Sequence, residues 1–130
     1  REAVRTFNVG RVRELRVPDE PAFQRRDGFD LVKHLQKGWN VWVEEGERDL
    51  VRVRFRPQLA DYIERTRWHP KQKTTRNPDG SVDFEVELAG LTEVTSWVLS
   101  FGSLVEVLEP PKLRARVRRE AEGMARQYAV

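Results

Sequence analysis

A chain of 130 residues, 38% of them hydrophobic and including four Trp, six Phe and two Tyr, fills one core and leaves room for an appended segment. Its 24 basic and 21 acidic residues nearly cancel, so a net charge of +3 is by itself a weak pointer to nucleic acid. The lack of cysteine excludes disulfide frameworks, thiol nucleophiles, thiolate zinc sites and iron–sulfur clusters, and no apolar run approaches the roughly 18 residues of a membrane helix, so a soluble cytoplasmic protein is expected.

The chain opens "REAVRTF", without methionine or cap, and reads as a fragment lacking N-terminal partner strands. "TFNVGRVREL" predicts an extended strand carrying Phe7 and Val9, then Val12 and Leu15 after Gly10 interrupts the alternation as a bulge would. A Pro-, Asp- and Gly-rich loop follows. "DGFDLVKHLQKGW" predicts a short helix with Asp30 as cap, Leu31 and Leu35 four apart, and Gly38 as stop. Residues 40–47 show a Val41–Val43 alternation ending in "EEGE", and a boundary is expected near Gly46, dividing the chain into 1–45 and 46–130.

Beyond it the pattern sharpens. "DLVRVRFR" alternates strictly, with Val51, Val53 and Phe55 on one face and Arg52, Arg54 and Arg56 on the other. Pro57 then starts an amphipathic helix through Leu59, Tyr62, Ile63 and Thr66 that Pro70 is expected to end. "KQKTTR", the turn "NPDG" and "SVDFEVEL" predict a hairpin whose second strand turns Val82, Phe84, Val86 and Leu88 inward. Thr92 is expected to cap a helix with Val94, Trp97, Val98 and Phe101 on its apolar side, Gly102 to end it, "SLVEVLE" to form the last strand, and Pro110–Pro111 to open one more helix.

Strand, helix, hairpin, helix, strand is the split βαβ pattern of an α+β, ferredoxin-like βαββαβ sandwich, here with an extra C-terminal helix. In that fold the first and third strands are central neighbours, so Arg52, Arg54 and Arg56 would stand opposite Asp83, Glu85 and Glu87. Cross-strand charge pairing then accounts for both ladders without a ligand. A basic open sheet face is also how some modules bind single strands, but they need aromatics on that face, and Phe55 and Phe84 point to the core side.

No arrangement of residues suggests an enzyme, a metal site or a cofactor. His34 and His69 lack a second ligand at metal spacing and read as surface or capping residues; no serine has a nucleophile-elbow context. The last helix carries Lys112, Arg114, Arg116, Arg118, Arg119 and Arg126 against Glu120 and Glu122, either a solvated face or a contact for nucleic acid or an acidic partner. Arg5, Arg11, Arg13 and Arg16 around the first strand are either edge protection or the lining of an anion pocket.

"RTFNVGRVREL" resembles the closing strand of a bacterial WYL-domain transcriptional regulator, pattern R-x-F-x-x-x-R-[IV], met here by Arg5, Phe7, Arg11 and Val12; "FDL" at 29–31 resembles the short helix leading out of it. From about Asp49 onward, "VRFRPQLADYIERTRWHP", "NPDGSVDFEVEL" and "WVLSFGSLVEVLEPPKLRARV" look like the WYL C-terminal extension, WCX, with "SFG", a short strand, "EP" and "LR" the most specific piece. The resemblance implies a strand and short helix left from a small WYL β-barrel, followed by a WCX domain. It also implies a regulator that contacts promoter DNA through a helix-turn-helix outside this chain, senses an effector such as single-stranded nucleic acid, and forms a homodimer. Arg5, Arg11 and Arg13 are then the effector-binding candidates, with Phe7 in the barrel core. Arg114, Arg118 and Arg119 form a secondary basic surface, and the stripe Leu113, Val117, Met124 and Tyr128 is the dimer candidate. Gly10 stands where the family often has a polar residue, and the W-Y-L tripeptide is absent. The alternative is a direct single-stranded DNA- or RNA-binding module using the last helix and the N-terminal arginines; no membrane partner is expected.

Overall fold

In the computed structural model, which describes residues 4–24, 26–39 and 46–130, the strict alternation becomes strand β1, Asp49–Phe55, with Val51, Val53 and Phe55 buried. A period of two leaves only one face for the core, and β3, Val82–Leu88, obeys it likewise through Val82, Phe84, Val86 and Leu88. With β2 (Lys73–Arg76) and β4 (Val105–Glu109) they form one antiparallel sheet in the order β2-β3-β1-β4, the ferredoxin-like order expected. The edge strand β2 is short, exposed throughout and bounded by Lys73 and Arg76, which discourages further pairing.

The helices are α1 (Leu31–Leu35), α2 (Ala60–Arg65), α3 (Thr92–Leu99) and α4 (Pro111–Tyr128). Pro57 opens a 3-10 turn that runs into α2, whose Ala60 and Ile63 join Val94 and Val98 of α3 over the inner sheet face. Helix α3 ends at Leu99, short of the expected stop at Gly102, which at φ +58° in the left-handed region opens the 3-10 turn Gly102–Leu104 leading into β4. Pro111 occupies the first turn of α4, where a missing N–H is harmless. Among the described residues no helix is long and apolar enough to cross a membrane.

Three further local expectations are corrected. Helix α2 ends at Arg65, well before Pro70. The Thr66 hydroxyl donates back to the Tyr62 carbonyl at 2.8 Å, and the Gln72 side chain accepts from the Trp68 and His69 N–H groups at 2.7 and 3.1 Å and donates to the Thr66 carbonyl at 2.9 Å. These bonds give the loop an alternative to helix. In α3, Thr92 is the first helical residue and Leu91 the N-cap, without a side-chain capping bond.

The third correction concerns the expected strand at residues 6–15. It is a single 3-10 turn at Val9–Arg11, with the Asn8 Oδ1 accepting from the Gly10 N–H at 2.9 Å. Residues 4–24 are exposed, Phe7 at 79%, so among the described residues no neighbour satisfies a strand's alternate backbone groups. By contrast α1 forms as expected, Asp30 accepting from the Lys33 N–H at 3.1 Å. The Val41–Val43 alternation lies outside the described residues.

After α1 the chain turns into the domain. The Gln36 carbonyl accepts from His69 Nε2 at 2.9 Å, the Lys37 carbonyl accepts from the Ala89 N–H at 2.9 Å, and Gly38 is buried. The Trp39 ring lies 4.5 Å from that of Trp97 and 5.8 Å from that of Phe84, completing an aromatic cluster with Trp68, Phe55 and Phe101.

Candidate functional site

Three surfaces carry the residues singled out from the sequence: the open sheet face, the outer side of α4 and the N-terminal segment. On the sheet, β1 and β3 set Arg54 opposite Asp83 and Arg52 opposite Glu85. Arg54 grips Asp83 with a two-pronged contact at 2.7 and 3.0 Å, and Asn77 donates to the same carboxylate at 2.9 Å. The Arg54 hydrogen bond is the main reason the Asp83 carboxyl lies below the usual carboxylate range. The third expected pair does not form. Arg56 lies beyond β1 with its N–H donating to the Leu104 carbonyl at 2.9 Å, and Glu87 faces Leu50 instead. Glu106 and Glu109 of β4 flank Arg54 and Arg52 from the other side. Phe55 and Phe84 are both fully buried beneath the sheet, so this face offers matched charge and no stacking platform.

The hairpin turn that joins β2 to β3 is held by side chains. Asp79 accepts from both the N–H and the hydroxyl of Ser81, at 2.9 and 2.6 Å, which lowers its pKa, and Gly80 takes φ +87°. At the sheet edge Arg76 reaches Glu64 and Asp61 of α2, and the bond from Arg76 holds Glu64 below the ordinary range.

On α4, two of the three expected basic residues are neutralised. Arg114 pairs with Glu106 at 3.0 Å and donates to the Val107 carbonyl at 2.7 Å, and Arg118 pairs with Glu122 one turn on at 2.8 Å. Arg119 lines an open groove between α3 and α4 with Arg116, Glu120, Thr92 and Ser96. The apolar stripe divides. Leu113 is fully buried in the chain's own core and Val117 packs against it, so neither presents its side chain to a partner as Met124 (50% exposed) and Tyr128 (81% exposed) do.

Arg5, Arg11 and Arg13 are all exposed, and only Arg11 sits in a defined element, the 3-10 turn; Arg16 pairs with Glu14 at 2.6 Å. No described contact gathers the three into a pocket. His34 lies beside Phe29 with ring centroids 5.7 Å apart, while His69, expected as a surface or capping residue, is buried. The Lys71 N–H donates to its Nδ1 at 3.1 Å, which leaves Nε2 to carry the proton toward Gln36.

Sequence reasoning missed the entry of Gln36–Trp39 into the core. The available signal was the concentration of tryptophan at 39, 68 and 97, too many large rings for two helices and a sheet to leave outside. No curated protein matches the chain. The WCX domain model matches residues 47–125, well over half of the chain and the whole of the sheet with its crossover helices. The chain therefore belongs to the WCX-domain family, the C-terminal extension of WYL-domain regulators.

Proposed function

We propose that this chain is the effector-sensing and dimerisation region of a bacterial, cytoplasmic helix-turn-helix regulator of the WYL family. Promoter binding is assigned to the helix-turn-helix and assembly to the WCX domain. The observation that carries the reading is the division of α4. Its first two turns are anchored by Leu113 and Val117, whereas residues 118–128 contain no buried side chain yet keep Met124 and Tyr128 on the same stripe. An isolated helix of that length is marginal in water, and burial of the free half against a second copy stabilises it.

The effector side of the reading rests on Arg5, Arg11 and Arg13, exposed cations suited to the phosphates of a single-stranded nucleic acid. The open sheet face is a poorer candidate because its carboxylates offset its arginines.

Sedimentation of the chain across a concentration series, with and without a labelled single-stranded oligonucleotide at low salt, tests both halves. A dimer that the double variant M124E/Y128E converts to monomer is expected, and a wild type monomeric at every concentration would refute the assembly role. Oligonucleotide binding should fall steeply with salt and be lost in R5A/R11A/R13A. Retention there, with loss in R114A/R118A/R119A, would favour direct binding through α4 instead.

A further inference from the structure

We propose that Gln36–Trp39 is a docked strap, an integral part of the WCX domain upstream of the family match, and that it is the mechanical link between the effector half and the sheet. Three independent contacts hold it. The Gln36 carbonyl takes the proton-bearing Nε2 of His69, a ring that is 1% exposed and cannot swivel because its Nδ1 already accepts from Lys71. The Lys37 carbonyl takes the N–H of Ala89, which is itself buried and lies just past the end of β3. The Trp39 indole fills the space beside Trp97 of α3 and Phe84 of β3.

Removing the strap leaves two buried donors without acceptors and strips ring contacts from two core aromatics, so the docked state is strongly favoured. The attachment points also matter. One is the loop after α2 and the other the loop after β3, neighbours at the same end of the antiparallel β2–β3 pair, so a pull on the upstream half is delivered to both loops rather than only to the start of β1. The docking stands on geometry alone; only the naming of what it links rests on the reading above.

The test is amide hydrogen exchange on the full chain, read at Ala89, with Val53 and Val86 in the β1–β3 ladder as reporters of the fold. Wild-type Ala89 should exchange at least about 100-fold more slowly than an open amide, independently of protein concentration. Trp39→Ala should speed Ala89 at least tenfold while Val53 and Val86 stay protected. If that variant fails to fold, Trp39→Phe, which keeps a ring in the slot, should show the same selective loss to a smaller degree. Open exchange of Ala89 in the wild type, or unchanged protection in a folded Trp39 variant, would overturn the strap. Protection that rises with protein concentration would overturn it too, since the segment would then come from a second copy. No oligonucleotide or effector enters these measurements, so the effector reading can fail without affecting them.

Discussion

Replacing Phe84 by leucine probes the centre of the fold. Phe84 is fully buried, and its ring is ringed by Trp39, Trp68 and Trp97 at centroid distances of 5.8, 6.1 and 5.1 Å. Leucine has three fewer side-chain carbons, and at ~0.8 kcal/mol for each buried carbon the transfer loss is about 2 kcal/mol before any cavity is counted. A rigid aromatic cage collapses poorly around a smaller residue, which pushes the total toward the ~3–5 kcal/mol seen for complete removal of a buried ring. For a domain of this size each kcal/mol moves Tm by about 4–8 °C, so F84L should melt roughly 8–16 °C lower on the transfer term alone. Urea unfolding followed by tryptophan fluorescence and far-ultraviolet circular dichroism measures it. Phe7, 79% exposed on the N-terminal segment, is the matched control, and F7A should stay within about 0.5 kcal/mol of wild type. An F84L change below about 0.5 kcal/mol, or an F7A change above about 1 kcal/mol, would refute the assignment of the core to the sheet's inner face.

Gly102 sits at φ +58° and an added Cβ meets nothing within 4 Å, so G102A should cost about 1–2 kcal/mol from the backbone alone, and G102N less; equal costs in thermal melts would show that space, not conformation, selects glycine. Gly123 lies within α4 with only the Arg126 guanidinium near its would-be Cβ, at 3.8 Å, so G123A should stabilise the isolated chain by ~0.5–1 kcal/mol. The same substitution should weaken dimerisation if a second helix approaches there, and sedimentation beside the melt separates the two effects. Asp83, Asp79 and Glu64 are all held below the ordinary carboxylate range, by Arg54, Ser81 and Arg76 respectively. Their contribution is therefore full above the unfolded-state values near about pH 4 and is lost as pH falls through the lower folded-state values. The urea midpoint should drop on acidification from about pH 7 to about pH 2.5. D83N should start lower and decline less; a decline as steep as wild type would remove Asp83 from the account.

What the sequence by itself determined was whatever a local period decides. Alternation over 51–55 and 82–88 assigned the buried and the charged side chains there, because a period of two admits a single choice of core face. It also brought Arg52 and Arg54 against Glu85 and Asp83 once the βαββαβ order made those strands neighbours. Tertiary structure decided what depends on distant partners. The stripe Leu113, Val117, Met124 and Tyr128 is continuous along α4, and only the reach of α3 and β4 separates its buried end from its exposed one. Phe7 and Val9 alternate as a strand should, yet with no neighbouring ladder among the described residues their segment curls into a 3-10 turn. The docking of Gln36–Trp39 depends on His69, 33 residues beyond Gln36, and on Ala89, a long-range satisfaction of buried donors that no local pattern encodes.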